Sequence, residues 1–160
     1  MTSIRRLIAN DLPRLHNFWV EHWGDEVIVS HGNVYRPEQL EGFVVEDGND
    51  WIGLLTFLIG EDEFEITSLN SLRENQGIGT TLLNEVLEEA RKQNSKRVFC
   101  ITTNDNLNAL GFYQKRGFEL VAVHRGAINE SRRIKPGIPL LGYNNIPLRD
   151  EIELEMKLKI

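Results

Sequence analysis

Residues 63–103 read EFEITSLNSLRENQGIGTTLLNEVLEEARKQNSKRVFCITT. Glu63 to Leu72 has the composition of a strand, and Arg73-Glu74-Asn75-Gln76-Gly77-Ile78-Gly79 breaks it with turn formers. Ile78, Leu82, Leu83, Val86, Leu87 and Ala90 then recur at helical spacing and form one apolar stripe. Arg91 and Lys92 fall in the last turn, where cations suit the helix dipole, and Asn94-Ser95 ends it. Arg97 to Thr103 is a compact buried strand. A strand–helix–strand crossover of this kind predicts a parallel strand pair with a right-handed connection.

The rest of the chain adds elements on both sides. Upstream, residues 5–8 read as a first strand. Asn10-Asp11 offers a helix N-cap, Pro13 is tolerated in the first turn, and Leu12, Leu15, Trp19 and Trp23 follow at helical spacing up to Gly24. Residues 25–40 read as irregular, with a short strand at Val27-Ile28-Val29. Residues 43–46 and 51–59 read as two strands of a hairpin across Asp47-Gly48-Asn49-Asp50. Downstream, a short helix over about 106–116 is capped by Asp105 or Asn106 and closed by Gly117, and Phe118–His124 reads as a strand. Residues 125–149 form a long loop of the kind that often acts as a lid. Residues 151–159 then alternate, with Ile152, Leu154, Met156 and Leu158 on one face and Glu151, Glu153, Glu155 and Lys157 on the other. That pattern predicts a half-buried strand, and one able to serve as a sheet edge.

Composition narrows the class. The 160 residues, 41% apolar and 26% charged, fit one domain over 1–160 that buries a core without disulfides or metals. No apolar run approaches the ~20 residues needed to span a bilayer. The N-terminal stretch is too short and polar for a secretory signal, and a single cysteine, Cys100, points to a reducing, cytoplasmic home. A net charge of −6 weighs against nucleic acid and anionic membranes as partners. The four histidines lack metal-ligand spacing, so no metal is expected.

Two motifs carry the chemistry. Gln76-Gly77-Ile78-Gly79-Thr80-Thr81 joins a strand to a helix N-terminus. Its glycines allow close backbone approach, and the first helical N–H groups have no internal partner. Such a turn suits a phosphate or pyrophosphate, or is simply tight and binds nothing. No Lys-Ser/Thr follows the glycines, so it is not a nucleoside-triphosphate loop. Leu82 stands where the dinucleotide fingerprint needs a third glycine. In the second motif, Asn106, Ala109 and Tyr113 share one helix face. An amide, a small residue and a phenol there read either as a ligand wall or as a capped amphipathic helix with Phe112 and Tyr113 in the core.

Taken in this order and at this separation, the two motifs resemble the GNAT superfamily of N-acetyltransferases. The resemblance spans roughly residues 4–124, and the last strand fits it too. The family pattern Arg/Gln-x-x-Gly-x-Gly/Ala maps to Glu74-x-x-Gly77-x-Gly79, with Glu74 as the one departure. The pattern Asn-x-x-Ala-x-x-x-Tyr-x-x-x-Gly-Phe matches Asn106, Ala109, Tyr113, Gly117 and Phe118 without a gap. The implied fold class is α/β (α+β): a GNAT-type mixed, largely antiparallel twisted sheet with a splayed parallel strand pair and flanking helices. The implied cofactor is acetyl-CoA as co-substrate. Backbone groups near Leu69 and Ser71 would pair with pantetheine. Gln76, Gly77, Ile78, Gly79 and Thr80 would meet the pyrophosphate, with charge supplied by Arg73 rather than Glu74. Asn106, Ala109 and Phe112 complete the cofactor set.

Acetyl transfer to an amine requires the amine to lose a proton. For a lysine-like amine of pKa ~10.4, neutralisation at pH 7 costs about 4.6 kcal/mol. Glu65, early on the strand that feeds the Gly loop, is the candidate general base; the alternative is that residues 61–65 are a solvated hairpin edge. Tyr113 is the candidate acid for the departing thiolate. Cys100 reads as a small core residue, and Trp19, Trp23 and Trp51 as core rather than substrate cage. Arg132-Arg133-Ile134-Lys135-Pro136 is the one basic cluster, a solvated loop or a contact for the adenosine 3′-phosphate, a partner or an acidic acceptor. The function expected is acetyl transfer from acetyl-CoA to a primary amine by direct attack in a ternary complex. The alternative is a non-catalytic acyl-CoA-binding or regulatory domain on the same scaffold. The acceptor is a small-molecule or protein amine, mildly favoured as cationic by the carboxylates at 61–65 and 150–155. A homodimer is compatible with the pattern.

Overall fold

In the computed structural model, which describes residues 1–159, the chain runs β1 (Thr2–Arg6), α1 (Leu12–Trp23), β2 (Ile28–Ser30), β3 (Asn33–Tyr35), β4 (Glu41–Asp47) and β5 (Asp50–Ile59). It continues through β6 (Glu63–Ser71), α2 (Ile78–Lys92), β7 (Arg97–Thr103), α3 (Leu107–Lys115), β8 (Glu119–His124), α4 (Ala127–Ile134) and β9 (Glu151–Lys157). Ile160, the last residue of the expected 1–160 domain, lies outside the described residues. Two compact units result. The first holds Met1–Ile28, Tyr35–Val98, Leu158 and Lys159, and the second holds Val29–Val34 and Phe99–Lys157.

In the first unit the strand order is β1-β4-β5-β6, each neighbouring pair antiparallel. The β4–β5 turn pairs Asp47 with Asp50 around Gly48, whose φ of +61° suits the first central position of a type II′ hairpin. Successive residues of β5 point to opposite faces. Leu54 joins the cluster of Leu15, Phe18 and Trp19 from α1 with Val44 and Trp51. Gly53, its neighbour, lies under α2: a Cβ there would sit 2.3 Å from Cγ2 of Ile78. The helices therefore cover opposite faces of the sheet. The whole expected stripe of α2, from Ile78 to Ala90, is buried. Phe43, Phe57 and Phe64 stack across three strands, with ring centroids 5.7 and 5.4 Å apart. The Arg97 guanidinium meets Glu63 at 2.7 Å, so the first residues of β6 and β7 lie side by side. Joined by α2, these two strands set out in the same sense as the parallel pair of an otherwise antiparallel sheet.

In the second unit the order is β7-β9-β8, with β8 and β9 antiparallel and Val121 as an extra residue on β8. Gly117, at φ +94°, turns the chain out of α3 against the Met156 methyl. Asp105 accepts from the Tyr143 N–H at 2.8 Å, and Asn104 Oδ1 accepts from the N–H groups of Arg149 and Asp150. Gly142 passes so close that a Cβ there would lie 1.9 Å from Asp105 Oδ2.

Four expectations need correction. The first strand is Thr2–Arg6 rather than residues 5–8, because Asp11 accepts the Ile8 N–H and turns the chain toward α1. Residues 125–149 are not one loop: α4 occupies Ala127–Ile134 and buries Ile128 and Ser131. Trp23 is 41% exposed, its indole N–H donating to Asn70 Oδ1 at 3.2 Å, because a bulky polar-tipped residue at the helix end finds its partner at the surface. The last strand is interior, flanked by β7 and β8, and its charged face is covered at its first residue: Glu151 is only 3% exposed. Among the described residues no helix is long and apolar enough to cross a membrane.

Candidate functional site

The Gly loop belongs to the first unit. Leu69 and Ser71 end β6, paired with Leu55 and Gly53 of β5. Asn75 and Gly77 both take left-handed φ values, +59° and +70°, and Gly77 is the N-cap of α2. No side chain caps the helix there, and a Cβ on Gly77 would meet nothing within 4 Å. The first turn at the positive end of this fifteen-residue helix thus carries no side-chain cap, and the space beside Gly77 is open. Ile78 and Gly79 are buried, Thr80 is half-buried, and Gln76 is exposed. Thr81 closes the first turn, its N–H and hydroxyl both donating to the Gly77 carbonyl at 2.9 Å. This geometry accepts an anion through peptide groups alone. Arg73 does not lie loose beside it: its guanidinium donates to Asp47 at 2.7 Å and holds that carboxyl below the usual range. Glu74 is exposed.

Glu65 also lies in the first unit. Of the carboxylates at 61–65 it alone is buried, at 9% exposure, while Glu63 pairs with Arg97 and Asp62 with Lys96. Its Oε1 accepts the Tyr35 hydroxyl at 2.6 Å, and Tyr35 is itself buried. Tyr35 escaped the sequence reading because it ends a three-residue strand in a segment read as irregular. Two residues further along β6, Thr67 is an extra residue opposite the Thr56–Phe57 step of β5, a bulge that interrupts the ladder. The hydroxyls of Thr56 and Thr67 meet at 2.8 Å there. Hydroxyl residues gathered in two apolar strands were the available signal for it.

Asn106, Ala109, Phe112 and Tyr113 lie in the second unit on α3. Asn106 is the N-cap, its Oδ1 accepting from the Ala109 N–H at 3.1 Å. Tyr113 is buried, its ring 5.2 Å from Phe118 and edge-on to Phe112 at 5.3 Å. Burial, then the neighbouring Cys100 thiol, push its phenol well above 10. Tyr113 therefore keeps its proton across the physiological range and is a donor. The basic cluster is structural on one side: Arg132 donates to the carbonyls of Pro139 and Leu148 at 2.7 and 2.6 Å, binding the chain after α4.

A second polar group in this unit was not foreseen. Both oxygens of Glu151 accept the His31 N–H, at 3.0 and 3.1 Å, and the His31 ring lies 4.3 Å from that of His124. His124 in turn meets Glu153 at 3.0 Å. The signal was the alternation of glutamates in 151–155, which read as solvent-facing. Among the described residues no group of three or more His, Cys, Asp or Glu side chains is placed to hold a metal ion.

Comparison with known proteins bears on the family and the fold. The model of the acetyltransferase (GNAT) family matches residues 4–118. The chain is 44% identical over 143 residues to the uncharacterized protein YxbD of Bacillus subtilis (strain 168), covering 89% of this chain and 90% of that one. Among solved structures, the IAA acetyltransferase from Bacillus cereus ATCC 14579 matches with a TM-score of 0.71 at 22% identity, over 99% of this chain and 100% of its own. A GNAT family acetyltransferase from Elizabethkingia anophelis with acetyl-CoA bound matches at 0.69 and 23% identity, over 98% of each chain. These structures show the fold to be the mixed sheet with flanking helices expected above.

Proposed function

The chain belongs to the acetyltransferase (GNAT) family, and on that premise we propose that it is an acetyl-CoA-dependent N-acetyltransferase acting on a primary amine in a ternary complex. The observation that carries this reading is the uncapped, open N-terminus of α2 at Gly77, which fits a pyrophosphate. The coenzyme supplies an acetyl thioester. The N–H groups of Ile78, Gly79 and Thr80 would hold its pyrophosphate, and the β6 backbone near Leu69 and Ser71 would pair with its pantetheine arm. Gln76, Asn106, Ala109 and Phe112 remain the proposed cofactor contacts, whereas Arg73 is committed to Asp47.

Glu65 takes the proton of the acceptor ammonium, so that the nitrogen lone pair forms the new C–N bond as the C–S bond breaks. Tyr113 delivers its phenolic proton to the departing thiolate sulfur and regains one from solvent, while the nitrogen sheds its second proton to solvent as it becomes an amide. The carboxylates that give the chain its net −6 favour a cationic acceptor. The near-complete cover of this chain by solved neighbours supports one domain over 1–160, and a single cysteine suits the cytoplasm.

An acceptor panel of polyamines, amino acids and peptides, incubated with acetyl-CoA and read by mass spectrometry, tests the reading. Gain of one acetyl group on an amine, with turnover reduced at least tenfold in Tyr113→Phe, is the expected result. Tight coenzyme A binding with no acetylated product from any amine would overturn it in favour of a binding or regulatory domain.

A further inference from the structure

We propose that Tyr35 is a positioning residue for the catalytic carboxylate: its hydroxyl holds Glu65 in one orientation and keeps it ionised inside the protein. The proposal rests on the reading of Glu65 as general base. A carboxylate only 9% exposed resists ionisation unless donors compensate for the lost water. The Tyr35 hydroxyl is such a donor, 2.6 Å from Oε1, in a bond that links residues thirty positions apart. Its ring is fixed by the apolar cluster of Leu15, Phe18, Trp19 and Val44, so the hydroxyl reaches Glu65 without a search over rotamers. A phenylalanine would fill that cluster equally well. The oxygen is the part of the residue that packing does not require.

The charged surroundings sharpen the assignment. Across the β5–β6 ladder the residue opposite Glu65 is Leu58, which has no charge. Along β6 the nearest ionisable neighbour is Glu63, already paired with Arg97 from the start of β7 at 2.7 Å. From β3 it is Tyr35 itself. Tyr35 thereby sets both the direction of the base and the pH at which it becomes available.

The test combines Tyr35→Phe and Glu65→Gln in the full chain. A ¹³C-carboxylate NMR titration needs no acceptor: the Glu65 signal is identified by its loss in Glu65→Gln. Loss of a hydrogen bond that favours the charged form raises the carboxyl pKa, so the midpoint in Tyr35→Phe should move up by about one unit, a tenfold change in the ionised fraction on the acid side. With spermidine as the probe amine, the acid limb of kcat/KM should move up by the same amount. KM for acetyl-CoA should be unchanged, and kcat should recover at high pH. An unmoved midpoint in Tyr35→Phe, with Glu65→Gln inactive, would overturn the positioning role alone. Undiminished turnover by Glu65→Gln would overturn the base reading, and with it the catalytic meaning of the pair. A pH-independent fall in kcat for Tyr35→Phe would mark a merely structural tyrosine and also overturn the proposal.

Discussion

Gly53→Ala puts one methyl group between the sheet and the helix that carries the Gly loop. The new Cβ would lie 2.3 Å from Cγ2 of Ile78 and 3.2 Å from Cδ1 of Leu82. The first distance is far inside van der Waals contact. Cγ2 is a branch methyl on a β-branched side chain, and in a helix such a side chain is nearly confined to one rotamer. Ile78 is also the first residue of α2 and only 6% exposed, so the strain moves backbone rather than a side-chain tip. Overpacking of this kind costs about 1–3 kcal/mol, or roughly 2–12 °C in Tm for a chain of this size. Ile78→Ala alone should cost about 2–4 kcal/mol through its cavity. The double variant removes the clashing atom, so its cost should fall short of the sum of the singles by about 1 kcal/mol or more. Urea denaturation of the four proteins measures this cycle, and calorimetry with coenzyme A follows the helix terminus. Additivity within about 0.5 kcal/mol would refute the reasoning, as would coenzyme A affinity in Gly53→Ala equal to wild type.

Three further outcomes follow from separate contacts. Gly142→Ala places its Cβ 1.9 Å from Asp105 Oδ2, so limited proteolysis should cut the segment after α4 faster than in wild type while the rest stays resistant. Because the Tyr113 phenol is raised in the folded state, the unfolded chain loses that proton first near pH ~10. Stability attributable to Tyr113 is therefore full below that pH and lost above it, and Tyr113→Phe should flatten the alkaline arm of a Tm profile. Arg5 donates to both oxygens of Asp11, at 2.8 and 2.9 Å, and lowers its carboxyl. That contribution is present above the ordinary aspartate pKa of ~3.9 and fades as pH falls through the lower folded value. Asp11→Asn should cost about 1 kcal/mol at neutral pH, discounted for the part-exposed arginine, and less at pH 2.

Legibility in the sequence followed the strength of the local signal. The helix over Ile78–Lys92 and the strand over Arg97–Thr103 emerged at the residues expected, because an unbroken stripe and a short apolar run each bury one continuous surface. α4 did not, since only Ile128 and Ser131 go inside and its N-cap, Gly126, carries no side-chain oxygen to announce a helix. Arg132, in its last turn, looked like a free charge because the carbonyls it binds, at 138, 139 and 148, are a matter of tertiary folding. The same limit hid the Glu65 environment. Nothing near residue 65 in the chain discloses that a tyrosine thirty positions earlier supplies the hydrogen bond. Glu151 was misread because strict alternation reports two faces and not which of them water reaches.

The turn at Gly77 presents main-chain N–H groups, and every residue type except proline contributes one. The side chains just before it, at 73 and 74, are thereby released from a shared duty. Arg73 has been drawn into tethering the β4–β5 turn, and Glu74 can be a carboxylate. A cradle made of peptide bonds constrains evolution at the few positions where a side chain would obstruct it and leaves its neighbours to drift. Divergent relatives can therefore retain such a loop while its flanking residues lose all resemblance.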